Sequence, residues 1–225
     1  MELFNQDIVR GKPFSLLNYL GLEMEPKRRV AREAAFLLYR GVVEEYKQAK
    51  ETAAENLGVK TLPSNFEVAL ELDEIAEELE GDQRRKRLSE MRRTALELMQ
   101  HLSDFHPRLI GSVWRGTVNQ SSDIDIIVYS RDKGEVLERL KGLGEVEMEK
   151  TELVVKSGAS KTSEHIYIRT NSGYEAEIVV RAPEEAGEVE ICDIYGDPKT
   201  GLSLVQLRRV LEDDPLRGFV PSKRR

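Results

Sequence analysis

The 225-residue chain carries 41 Asp and Glu against 34 Lys and Arg, a net charge of −7; this argues against a protein coated in nucleic acid, whose binding face is basic. Hydrophobic residues are 40% and charged residues 33% of it, which excludes general disorder and allows a sizeable core without disulfides. The single cysteine, Cys192, fits a reducing, cytoplasmic setting, no apolar run approaches the roughly 20 residues that span a bilayer, and Met1 to Arg10 lacks the basic start and apolar stretch of a secretion signal.

The first half reads as helical. Pro26 suits a first helical turn. Val30, Ala34, Leu37, Leu38 and, past Gly41, Val42 and Tyr46 recur on one face of a 3.6-residue period, with Gly58 as the stop. Pro63-Ser64 restarts the chain, and Ser64 and Glu67 have capping-box spacing. Leu72, Ile75, Ala76 and Leu79 carry the next stripe to Gly81. Asp82 is the expected cap of a third helix, whose apolar face is Leu88, Met91, Ala95, Leu98, Met99 and Leu102 and which Pro107 ends. Basic clusters at Lys27 to Arg32 and at Arg84 to Arg93 read as solvated helix faces with Glu partners.

Strand patterning begins after His106. Leu109-Ile110 is a short apolar run that ends in Gly111-Ser112. Ile124, Ile126 and Val128 alternate with Asp123 and Asp125. A helix follows from the capping pair Asp132 and Glu135 to Gly144. Further strands are expected at Glu145 to Glu149 or Glu152 to Val155, at His165 to Thr170, and at Tyr174 to Arg181. The turn-rich Asn171-Ser172-Gly173 joins the last two as a hairpin. Pro183 breaks the pattern, and a tail helix runs from about Leu202 to Leu211. The chain therefore reads as a helical N-terminal region (residues 1–88), an α+β domain with a mixed sheet (89–185) and a tail with one helix (186–225).

The chemistry lies between Leu109 and Val128. Side chains alternate along a strand, so Asp123 and Asp125 share one side while Ile124 and Ile126 bury on the other. Adjacent carboxylates repel, and a divalent cation is the simplest way to hold both ionised. All-oxygen ligation favours Mg²⁺ or Mn²⁺, and the absence of His or Cys in this stretch argues against zinc. Gly111 lets the backbone approach a ligand closely, Ser112 adds a hydroxyl donor, and Arg115 is placed to neutralise phosphate charge. Phosphate beside metal-binding acids is what a nucleoside triphosphate requires.

The run Gly111-Ser112-Val113-Trp114-Arg115-Gly116, followed after Ser122 by Asp123-Ile124-Asp125, resembles the signature of the DNA polymerase beta-like nucleotidyltransferases. In that family a Gly-Ser pair precedes Asp-x-Asp by about ten residues, as Val113 to Ser122 does here, and Gly116 and Ser122 also match common members. The resemblance spans residues 90–181 and implies a third acid on a later strand. Glu177 fits, flanked by Ala176 and Ile178; Glu175 is the competitor on the same face. It also implies transfer of a nucleoside monophosphate from an NTP to a hydroxyl, using two divalent cations held by Asp123, Asp125 and Glu177. Gly111, Ser112, Arg115 and Ser122 would bind the nucleotide. The acceptor is left open as an RNA end, a protein or a small molecule. The N-terminal helices are candidates for a homo-oligomer contact, and no membrane partner is expected. The alternative is a nucleotide-binding or toxin-neutralising module on the same fold, which has no need of three intact acids.

Other residues carry weaker signals. His101, His106 and His165 are scattered and read as structural or surface residues, and Cys192 as a small buried one. Trp114 packs or flanks the nucleotide. Lys156, Lys161 and Arg181 are candidates to line an acceptor groove, with Arg181 favoured because it shares strand parity with Glu177.

Overall fold

The computed structural model describes residues 24–156 and 159–222, and of residues 152–156 and 159–162 the backbone alone. The expectations for Met1 to Arg10 and for the side chains of Lys156 and Lys161 lie outside the described residues. The chain divides into two units, residues 1–75 and 76–225.

In the first unit, α1 (Pro26–Tyr39) starts with proline in its first turn, and α2 (Tyr46–Leu57) packs against it. The two are not one continuous helix. Gly41 takes a left-handed φ of 63°, which ends the helical ladder. The register slips at that break, so Val42, expected on the apolar stripe, is 66% exposed and Val43 is buried instead. The interior here is built from small side chains, Val30, Ala34, Ala49, Ala53 and Val68. Helix α3 (Asn65–Glu80) opens with the expected box: Ser64 N–H donates to Glu67 Oε2 (2.7 Å) and Glu67 N–H to Ser64 Oγ (3.2 Å). The basic cluster of α1 is answered by α3, with Lys27 on Glu67, Arg28 on Glu71 and Glu74, and the buried Arg32 on Glu71.

In the second unit, the stripe read for α4 (Asp82–His101) is buried in full, from Leu88 through Leu102. Asp82 is the first helical residue and not the cap, a position held by Gly81; its carboxylate faces the positive end of the helix dipole. A 3-10 turn (Ser103–Phe105) leads to β1 (Arg108–Leu109), α5 (Gly111–Arg115), β2 (Ile124–Tyr129), α6 (Lys133–Leu140), β3 (Gly144–Lys156), β4 (Ala159–Thr170), β5 (Glu175–Arg181), β6 (Leu202–Ser203) and α7 (Leu204–Asp213). The sheet order is β3-β4-β5-β2-β1-β6, antiparallel except where β2 runs parallel to β5. The fold is therefore α+β with a mixed sheet. The two alternatives offered for β3 are one strand, paired along β4 with a bulge between Val146 and Met148.

Strand parity sorts the sheet into two faces. Ile124, Ile126 and Val128 of β2, Ala176, Ile178 and Val180 of β5, and Ile166 and Ile168 of β4 point into the core under α4, α6 and α7. Truncating one of these, as in Ile178→Ala, would cost about 2–5 kcal/mol. The odd-numbered residues face the other way and carry the polar groups. The tail is part of this core, since Leu202, Leu207 and Val210 join the same cluster, and α7 opens with a capping box between Ser203 and Gln206.

Candidate active site

Pairing of β1 with β2 sets Leu109 opposite Ile126 and brings the bend after β1 onto β2. Ile110 N–H donates to the Asp125 carbonyl (2.9 Å), so the backbone itself pins Gly111 beside Asp125. Gly111 has φ 67°, and a Cβ there would lie 2.7 Å from Asp125 Cγ. Glycine is thus required twice, by conformation and by the carboxylate occupying the side-chain space. The chain then enters α5, where Ser112 Oγ is shielded from solvent and is the one such side-chain oxygen among the described residues without a hydrogen-bond partner. A buried hydroxyl with no partner carries a free-energy penalty that a ligand oxygen would remove.

The acids converge as expected. The β2–β5 register places Asp125 directly across from Glu177, and Asp123 stands two residues before Asp125 on the same side. Asp123, Asp125 and Glu177 each offer a carboxylate oxygen, all within 4.8 Å of one another. Glu175 does not join them; it is exposed and accepts from Arg169 Nη2 (2.8 Å). Burial raises the Asp125 carboxyl to a pKa of about 8, and the neighbouring Asp123 and Glu177 charges add to the rise. Asp123 is raised too, first by burial and then by Glu177 and Glu175, against an opposing hydrogen bond to its own backbone. Three half-buried carboxylates that offer only oxygen donors within 4.8 Å of one another fit a hard divalent cation.

Two buried arginines fix α5 from behind. Arg92 donates to the carbonyls of Val113 (3.1 Å) and Trp114 (3.0 Å) at the end of α5, and to those of Pro215 (2.7 Å) and Arg217 (2.8 Å) in the tail. Burial lowers its pKa to about 10, so it stays charged at neutral pH. The expected role of Arg115 meets a different placement. Its guanidinium is bidentate on Asp197 (2.7 and 2.8 Å), donates to the Phe219 carbonyl (2.9 Å) and is stacked between the rings of Trp114 and Tyr195. That charge is already neutralised inside the protein, and Trp114 is packed in the core.

The remaining candidates divide. Ser122 Oγ accepts from Asn119 N–H (2.9 Å) and shapes the turn before Asp123. Arg181 is paired with Glu190 (3.0 Å), not free for an acceptor. His101 bonds the Glu97 carbonyl, and Cys192 is buried. His165, read as structural or surface, lies beside the acids: its Nδ1 is 2.7 Å from Glu177 Oε1 and its Nε2 2.8 Å from Ser163 Oγ. The signal for it was present in the hairpin. Pairing across Asn171 to Gly173 sets Tyr167 opposite Glu177 and His165 opposite Val179, which puts the imidazole diagonal to the acid on one face. Arg92 was hidden because an arginine inside a basic run reads as surface.

Gly-Ser beside Asp-x-Asp on a mixed sheet, with a third acid on the parallel neighbour, is the arrangement that the sequence resemblance implies. Residues 88–193 match the family model described as the nucleotidyltransferase domain. Among solved structures the chain is similar to a cytoplasmic RNA terminal U-transferase, with 14% identity, 52% of this chain and 34% of that chain covered, and a TM-score of 0.29. It is also similar to a chain of the GLD-2/RNP-8 complex, with 17% identity, 54% and 44% coverage and a TM-score of 0.30. It spans less than half the length of either. No curated protein matches.

Among the described residues no helix is long and apolar enough to cross a membrane.

Proposed function

We propose that this protein moves a nucleoside monophosphate from a nucleoside triphosphate onto a hydroxyl acceptor and releases pyrophosphate. One observation carries the reading: three acids on adjacent strands converge on a bend whose serine hydroxyl lacks a partner. Asp123 and Asp125 would hold two divalent cations, Mg²⁺ or Mn²⁺, with Glu177 on one of them. When bound, such ions lower the pKa of the acceptor hydroxyl and neutralise charge at the α-phosphate. Ser112 donates its hydroxyl to a β- or γ-phosphate oxygen, and Gly111 admits both that phosphate and the Asp125 carboxylate. Ser122 holds the approach to Asp123. Arg92 and Arg115 keep α5 fixed, which matters because such chemistry depends on positioning and charge neutralisation. The acceptor oxygen bonds to the α-phosphorus as the bond from that phosphorus to the β-phosphate oxygen breaks, and the hydroxyl proton passes to solvent.

The basic clusters of α1 and α4 are largely paired with acids of the same unit, Glu67, Glu71 and Glu74 in one and Glu77 and Glu80 in the other, which does not favour RNA over the other acceptors. The test is incubation with each α-labelled triphosphate, Mg²⁺ or Mn²⁺, and separate pools of RNA, protein and small hydroxyl compounds. Label transfer by the wild type, and none by Asp125→Asn, is the expected result. Metal-dependent nucleotide binding without transfer to any pool would instead favour a binding module.

A further inference from the structure

We propose that His165 is a positioning residue that aims the Glu177 carboxylate at its cation, an inference that rests on the function proposed above. Glutamate at this position has one more rotatable bond than aspartate, so an unrestrained Glu177 would lose side-chain entropy each time it bound an ion. The structure supplies the restraint. His165 Nδ1 meets Glu177 Oε1 at 2.7 Å, and Ser163 Oγ meets His165 Nε2 at 2.8 Å. Ser163 and His165 are two residues apart on β4 and share a face, while β5 presents Glu177 diagonally across from His165.

The polarity of this chain follows from its end. An ionised carboxylate only accepts hydrogen bonds, so Nδ1 donates to Glu177, and in the neutral ring Nε2 is then the acceptor for the Ser163 hydroxyl. A neutral imidazole satisfies both contacts. The Glu177 carboxylate is thereby tied to β4 through Oε1, while it keeps an oxygen within 4.8 Å of those of Asp123 and Asp125. Partners that orient a metal-binding side chain in this way typically contribute 10–100-fold to metal affinity. His165 contacts neither phosphate nor acceptor in this account; it acts through Glu177.

The experiment is a Mn²⁺ titration of the full chain, followed by the electron paramagnetic resonance signal of free Mn²⁺, alongside melting in EDTA. His165→Leu removes the donor, whereas His165→Asn keeps an N–H near the Nδ1 position. The expected result is about 10–100-fold weaker Mn²⁺ binding in His165→Leu, recovery to near wild type in His165→Asn, and little change in melting without metal. Wild-type affinity in His165→Leu would overturn the inference and leave the proposed function standing. Equal losses of affinity and of EDTA melting temperature in both variants would reduce His165 to a packing residue. Failure of the wild type itself to bind Mn²⁺ would overturn both readings together.

Discussion

Replacing Gly111 with alanine places a methyl carbon 2.7 Å from Asp125 Cγ, at a residue held at φ 67°. An L-residue in the left-handed region costs about 1–2 kcal/mol, which for a chain of this size lowers the melting temperature by about 2–8 °C. The contact itself is relieved by turning the Asp125 side chain aside, because the backbone on both sides is tied by the Ile110–Asp125 hydrogen bond. Turning that carboxylate removes it from the cluster with Asp123 and Glu177. The wild type in Mn²⁺ at 100 times its Kd gains about 2.7 kcal/mol, and a site weakened 100-fold gains only about 0.4 kcal/mol at the same concentration. Thermal melting with and without Mn²⁺ therefore separates the two effects: Gly111→Ala keeps its fold with a small loss in EDTA, and its metal-induced rise nearly vanishes. A variant that melts as expected in EDTA but keeps the full rise in Mn²⁺ would refute the link between this glycine and the Asp125 position.

Asp123→Asn and Asp125→Asn are each expected to abolish nucleotidyl transfer in a label-transfer assay while circular dichroism shows an intact fold. Because the folded-state pKa of Asp125 is raised to about 8 from 3.8, the folded protein holds a proton there that the unfolded chain has lost. Its contribution is most favourable below about pH 4 and falls by up to about 1.4 kcal/mol per pH unit toward pH 8. In EDTA, Asp125→Asn should therefore gain stability over the wild type steadily across that window, and a pH-independent difference in melting would contradict it. Arg92→Met leaves the Val113, Trp114, Pro215 and Arg217 carbonyls without their donor, at a cost of at least about 3 kcal/mol. Denaturant unfolding measures that loss, and trypsin should cut after Arg217 faster once the tail is released.

Much of this site was legible because strand parity is a strict rule. The alternation through Asp123, Ile124, Asp125 and Ile126 fixed which side the acids take, and apolar neighbours favoured Glu177 over Glu175. The α4 stripe was legible for the same reason at helical period, and all six of its named residues are buried. What stayed hidden depends on partners far away along the chain. Arg115 reads as a phosphate ligand until Asp197, 82 residues on, takes its charge. Arg92 reads as solvated until four carbonyls from two segments close around it. Gly41 interrupts a period that looked continuous because tolerance of a left-handed turn leaves no mark in hydrophobic spacing. The β3 strand looked like two because Lys150 and Thr151 break its apolar pattern, and only the pairing with β4 joins the pieces.

The most direct measurement is a crystal grown with Mn²⁺ and a non-hydrolysable nucleoside triphosphate, with anomalous scattering recorded at the manganese edge. The account predicts anomalous density among the Asp123, Asp125 and Glu177 oxygens, with a phosphate oxygen on Ser112 Oγ. Manganese bound elsewhere, or a nucleotide seated away from the Gly111-Ser112 bend with the three acids metal-free, would contradict it.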